Sequence, residues 1–344
     1  MWSRDRLSEG VKTHPRFLLP AIVLGAIQAH ASAFHFANTA IQTGAGAEYG
    51  FANAFNPVSS SVSREFSLTY PSVGPGGATN IINAGITAAA AWARSEPGSL
   101  GVRALVSVDN RSSAITLRSD AGVPPGGGSF FQTPAASAGF STQDVRFEAL
   151  PGVVGGGTIP VSLNLRLDGG FTGSSVSTPG AGVGSSTMTL SLQGRFGYVD
   201  RETHFQYGTF FSGTVVATST GGLVTYGAGT GLLSGYTGGT VDLTTSGFSI
   251  PLGVPVQAEL RLELFGSATS AGGRLEGIDA DFLHTLTFPT DGDVFNLPEG
   301  YTASSAGLGV ADNGFAPVPE PGAWAAVGLA GAGLFGVAQR RLRH

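Results

Sequence analysis

The 344-residue sequence predicts an all-β fold, an antiparallel and jelly-roll-like β-sandwich, on three observations. Residues 161–168 (VSLNLRLD), 187–193 (TMTLSLQ) and 256–264 (VQAELRLEL) alternate apolar and polar side chains without a break. Period two sends one set of side chains into a core and the other into solvent, as antiparallel sheets with one wet face require. Gly accounts for 54 residues, about twice ordinary usage, and clusters with Pro, Ser and Thr between the apolar runs. No alternation of strand-like and helix-like segments appears, which argues against a parallel-sheet enzyme fold.

Residues 1–33 form the first element. Arg4, Arg6, Lys12 and Arg16 make a positive leader, and residues 17–27 (FLLPAIVLGAI) an apolar run too short to span a bilayer unaided. Ala29, Ala31 and Ala33 then offer two A-x-A sites, so the segment reads as a signal peptide cut after Ala31 or after Ala33, with an uncut signal anchor as the alternative. The β-sandwich body is expected at 34–311. Ala favours helix over 84–94 (AGITAAAAWAR), but Gly85, Thr87 and the hairpin-like continuation favour strand. Glu96-Pro97-Gly98 has the composition of a turn into a strand over 102–108. Looser strand patterns recur at 114–117, 145–150 and 282–288. Residues 312–321 read as a linker, and 322–344 as a single transmembrane helix with a basic cytoplasmic tail.

The C-terminal segment, APVPEPGAWAAVGLAGAGLFGVAQRRLRH, has three parts in a fixed order. Pro319-Glu320-Pro321 is stiff and non-helical. Residues 322–338 carry no charge and hold Trp324 near their outer end, and Arg340, Arg341 and Arg343 close the chain. Such a span is slightly short for a hydrocarbon core of about 30 Å, and snorkelling Arg side chains extend it. The Arg cluster stays cytoplasmic by the positive-inside rule, placing the body on the other side. Through Val318, Pro319, Glu320 and Pro321, the apolar span and the Arg cluster, this tail resembles the PEP-CTERM sorting domain of exported proteins of Gram-negative bacteria. A plain membrane anchor would not need Pro-Glu-Pro at its boundary. The resemblance implies recognition by an exosortase, a membrane Cys protease or transpeptidase that processes the chain near the motif. It also implies the secretion translocon and signal peptidase as partners, transient anchoring in the inner membrane, and a final place at the cell surface or in the extracellular matrix. A link to exopolysaccharide and biofilm is a further expectation from the family. Residues 280–306 (ADFLHTLTFPTDGDVFNLPEGYTASSA) are similar to the closing segment of many such ectodomains, and on their own pattern read as a final β-hairpin with a Pro298-Glu299-Gly300-Tyr301 turn.

Charge and motif arithmetic narrow the chemistry. The chain has a formal net charge of −5. Setting aside the leader (four basic, two acidic) and the tail (three basic, one acidic) leaves 11 Arg against 20 carboxylates, a body near −9 that repels nucleic acid and other polyanions. Cys is absent, so thiolate catalysis and Cys metal sites are excluded. His35, His204 and His284 are far apart and lack a metal-ligand spacing, with His284 reading as a packed or rim side chain. Glu259 and Glu263 flank Arg261 on one strand face, roughly 13 Å apart, too far for glycosidase work. Asp279, Asp281, Asp291 and Asp293 form two D-x-D pairs expected in nearby loops. Their hard oxygens suit a structural Ca²⁺, although EF-hand spacing is missing and acidic turns are common. No other cofactor and no catalytic residue is expected. The leading expectation is a structural or adhesive surface protein. The alternatives are a carbohydrate-binding module, for which Trp92 is the body's single Trp, and a secreted hydrolase.

Overall fold

Each strictly alternating run is a strand in the computed structural model, which describes residues 33–43, 46–54, 58–73, 79–109, 111, 117–118, 133–154, 157–199, 206–270 and 274–315. In chain order the strands are β1 (Phe34–Thr43), β2 (Gly46–Ala54), β3 (Val58–Val73), β4 (Thr79–Glu96), β5 (Ser99–Asp109), β6 (Leu117–Arg118) and β7 (Thr133–Ala149). There follow β8 (Thr158–Leu167), β9 (Gly170–Ser177), β10 (Ser185–Val199), β11 (Gln206–Thr220), β12 (Leu223–Tyr226), β13 (Thr230–Gly231) and β14 (Val241–Thr244). The last are β15 (Phe248–Pro251), β16 (Val256–Ser270), β17 (Arg274–Thr287), β18 (Phe295–Asn296), β19 (Tyr301–Ser304), β20 (Val310–Ala311) and β21 (Gly314–Phe315). Residues 84–94 lie within β4, as the strand reading has it. The turn into β5 also follows expectation. Glu96 pairs with Ser99, and Gly98 sits at φ 67, the left-handed geometry a Pro-Gly turn requires. A Cβ at Gly98 would also strike the ring of Phe315.

All strand pairings among the described residues are antiparallel. A ten-stranded sheet runs β12-β11-β10-β16-β7-β1-β2, with β13, β19 and β6 at its margins. A nine-stranded sheet runs β14-β8-β17-β5-β4-β3, with β15 and β18 on β8 and β9 on β17. The alternation aims Ile159, Val161, Leu163, Leu165 and Leu167 of β8 inward with Met188, Leu190 and Leu192 of β10 and Leu260, Leu262 and Leu264 of β16. These residues belong to one buried cluster fed by both sheets. Each fully buried side chain of this size contributes about 1.5–3 kcal/mol.

Two of the polar links that join the sheets rest on buried ionisable side chains, His35 and Glu276. Ser95 Oγ donates to the Gly139 carbonyl at 2.7 Å, so its lone pair accepts from His35 Nδ1 at 2.9 Å, which fixes the Nδ1–H tautomer. The link joins β4 of one sheet to β1 and β7 of the other. The second link is Glu276 of β17, whose side chain is 0% exposed. Its carboxylate accepts from Arg274 Nε (2.9 Å), Ser219 Oγ (3.2 Å) and the Gly221 and Gly222 amides (3.3 and 3.4 Å). It thereby holds the β11–β12 turn of the opposite sheet.

The closing segment departs from the expected hairpin. Leu297-Pro298-Glu299-Gly300 does turn, with Gly300 at φ 85. Its two arms join different sheets: β18 pairs with β8, and β19 pairs with β7. The turn therefore carries the chain across the core. The body also continues past the expected boundary at 311. Asp312 and Asn313 adopt φ 49 and 64 and close the β20–β21 hairpin, as a type I′ turn demands. The Asn313 side chain is buried, accepting from the Phe295 amide at 3.0 Å and donating to the Phe295 carbonyl at 2.7 Å.

Asn313→Ala strands two buried backbone groups and forces Ala into a left-handed conformation, an expected loss of about 3–5 kcal/mol. Asn313→Gly removes the hydrogen bonds but not the conformational freedom, and loses less; urea unfolding of the two variants separates the contributions. Glu276→Ala leaves four donors without their acceptor and costs about 3–5 kcal/mol by the same measurement.

Candidate functional site

The sorting residues Val318, Pro319, Glu320 and Pro321, the anchors Trp324, Arg340, Arg341 and Arg343, and Ala31 of the leader lie outside the described residues. No helix among the described residues is long and apolar enough to cross a membrane. Ala33, the other residue offered as a cleavage position, is described. It is buried as part of the core immediately before β1, and its backbone nitrogen lies against Gly307.

The four aspartates do not come together as a metal site. Asp279 and Asp281 lie inside β17 rather than in a loop, on its outward face. Arg103 donates Nε and Nη2 to Asp279 at 3.1 and 2.6 Å, and Nη1 lies 3.7 Å from Asp281. A guanidinium thus occupies the place a cation would take. Asp291 and Asp293 follow in the loop after Pro289, where Asp291 faces Arg166 at 3.9 Å. Among the described residues no group of three or more His, Asp or Glu gathers to hold a metal. On β16, Arg261 pairs with Glu263, and Glu259 lies opposite Arg195 in the register. Trp92 is partly buried, and the Arg103 guanidinium sits 5.2 Å from its ring centre, covering that face. His204 and the side chain of His284 lie outside the described residues.

A shallow cleft of about 200 Å³ opens beside β8 and β14. Small-molecule sites usually span roughly 300–1,000 Å³. Four of its polar side chains, Arg166, Asp242, Asn164 and Thr244, are already paired. Arg166 Nε donates to Asp242 at 2.8 Å, and this bond holds Asp242 below the usual carboxylate range. Asn164 and Asn296 exchange hydrogen bonds at 3.0 and 2.9 Å, and Thr244 donates to Asn164 at 3.0 Å. Arg166, Asp242, Asn164 and Thr244 are thus engaged in tying β8 to its neighbours.

Among the described residues, an exposed aromatic pair lies elsewhere. Tyr49 and Phe51 on the edge strand β2 are 61% and 55% exposed, with ring centres 5.7 Å apart and planes within 17°. Sequence composition offers many Phe and several Tyr as candidate stacking rings without singling out this pair. Their i, i+2 spacing on a strand (EYGF) is a signal that was available. No family model matches the chain, nor does any curated protein or solved structure.

The buried His35 supplies a pH test of the fold. Burial drives its pKa down from 6.5 to about 4, so the folded protein holds it neutral. The unfolded chain takes up the proton first, near pH 6.5. Stability is therefore full above that value and falls as pH drops toward 4, by about 3 kcal/mol from this residue. His35→Asn keeps a donor toward Ser95 and removes the titration; its urea midpoint should fall less steeply between pH 6.5 and 4 than that of the native chain.

Proposed function

We propose that this chain is an exported protein whose all-β body, a two-sheet sandwich, is delivered outward by its ends and serves a structural or adhesive role at the cell surface or in the extracellular matrix. The observation that carries the reading is the order of parts at the C-terminus: Pro319-Glu320-Pro321, an uncharged span over 322–338, and then Arg340, Arg341 and Arg343. The span halts the chain in the inner membrane with the cationic end inside. An exosortase then reads the kinked tripeptide at the outer boundary and severs the body from the span. In the body, His35 is locked in the core, the cleft beside β8 is small, and Glu259 and Glu263 lie on a charged strand face with Arg261 and Arg195 between and beside them.

The buried position of Ala33 adds a choice between the two leader sites. Cutting after Ala33 would discard a core side chain and place the new ammonium group at the start of β1. We therefore assign the cut to the bond after Ala31. Intact-mass measurement on the chain recovered from fractionated exosortase-bearing cells tests both processing steps. The expected product begins at Ser32, lacks the Arg cluster, and is found outside the inner membrane. Changing Pro319, Glu320 and Pro321 together to Ala should leave the chain membrane-bound with its tail intact. Recovery of the native chain with an uncut tail would refute the sorting step.

A further inference from the structure

The outward face of the ten-stranded sheet holds a feature that delivery does not use. Residues directly opposite in an antiparallel pair share a face, so the registers draw a grid across β2, β1, β7 and β16. One row reads Tyr49, Ala40, Ala135, Phe265, and the next reads Phe51, Asn38, Ser137, Glu263. Small side chains fall on the two inner strands and large ones on the two outer strands. The rows therefore form a trough, with Tyr49 and Phe51 along one wall and Phe265 and Glu263 along the other. With strands about 4.8 Å apart, the walls stand roughly 14 Å apart between backbones.

The third row closes one end. There Gly139 lies between Phe36 and Arg261. A Cβ at Gly139 would strike the Phe36 ring and come within 2.7 Å of the Leu260 carbonyl, so glycine lets Phe36 lie down over β7. The Arg261 guanidinium sits 6.0 Å from the centre of that ring, and its Nε donates to Ser137 at 3.1 Å. The same guanidinium pairs with Glu263. The end wall is thus held by a cation–π contact, a hydrogen bond and an ion pair together.

This face matches one ligand chemistry. An aromatic row, Tyr49 to Phe265, lies beside a row that carries the Asn38 amide and the Glu263 carboxylate, so rings and polar groups face the same trough. A pyranose has the complementary make-up, with C–H faces that stack on rings and a hydroxyl rim that bonds to polar side chains. The charges in and beside the trough cancel, Arg261 against Glu263 and Arg195 against Glu259, while the body as a whole, with 11 Arg and 20 carboxylates, repels polyanions. We infer that the trough binds a neutral glycan chain, with Tyr49 and Phe51 as the stacking platform and Asn38 and Glu263 as hydrogen-bonding partners.

Calorimetric titration of the full-length chain in detergent micelles tests this inference. The probes are hexasaccharides of β-1,4-glucose, β-1,3-glucose, β-1,4-mannose and β-1,4-xylose, with an alginate hexasaccharide as the anionic comparator. At least one neutral probe should bind and alginate should not. The double variant Tyr49→Ala, Phe51→Ala should lose about tenfold or more in affinity with its thermal midpoint unchanged, since both rings are exposed. Phe210→Ala, which removes a ring 72% exposed on β11 of the same sheet, should bind as the native chain does. Failure of every neutral probe, equal binding of alginate, or undiminished binding by the double variant would overturn the assignment. So would self-association that these two substitutions abolish, because the face would then belong to a second copy. Neither the probes nor the variants involve the leader or the tail, so the result is independent of processing.

Discussion

Phe295 holds the two sheets in one body. Its backbone stands opposite Leu163 in the register of β18 and β8, and its fully buried ring meets Phe147 and Phe196 of the other sheet edge-on, at 5.1 and 5.9 Å. A two-residue strand has too few ladder bonds to fix such a residue. The Asn313 side chain supplies the missing pair, acting toward Phe295 as a neighbouring strand's amide and carbonyl would. Asn313 can do this because it tolerates the left-handed turn that aims its amide inward. The last described hairpin is therefore a clamp on the core. From Phe295 the chain turns at Gly300 and adds β19 to the opposite sheet.

Two ionisable groups that enter this core, His35 and Glu276, do so with hydrogen-bond partners in place. His35 spends its Nδ1 proton on Ser95, whose own proton goes to Gly139. Glu276 meets a guanidinium, a hydroxyl and two amides. Unpaired, either would cost several kcal/mol; satisfied, each ties a particular strand to a particular partner across the interior. In a sequence with only 12% charged residues, these links give directional specificity that apolar packing lacks.

The strands were legible because alternation is a local property. The strictly alternating segments, the strand over 84–94 and the Pro97-Gly98 turn all follow from neighbours in sequence. What sequence hid is non-local. Pro298 and Gly300 announce a turn, but nothing near them says that its arms join separate sheets. Asp312-Asn313-Gly314 looks like the start of a linker, and its role depends on a partner 18 residues earlier. Asp279 and Asp281 look like a loop's oxygen ligands until the register sets Asp281 opposite Arg103. The trough is the extreme case. Tyr49 and Phe51 are visible as a pair, but their opposite wall comes from residues more than 200 positions later, and the floor depends on the register of β1 with β7.

The arrangement of ends and trough bears on how delivery and binding fit together. The described chain enters at Ala33, beside Gly307, and His35 stands opposite Phe140. It leaves at Phe315, which packs on Phe288 at 5.7 Å, and Phe288 packs in turn on Phe140 at 6.4 Å. Entry and exit thus share one end of the sheets. The trough rows lie at Asn38 and Ala40, roughly 14–20 Å along β1 from Phe34 at about 3.4 Å per residue. The Phe36–Arg261 bridge closes the trough toward the entry and exit end. Under the delivery reading, a body still held by its span would stand with that end toward the membrane and the unbridged end of the trough facing away. A glycan chain lying in the trough would then meet the protein on the side farthest from the bilayer, and severing the tail would release the body without disturbing what it holds.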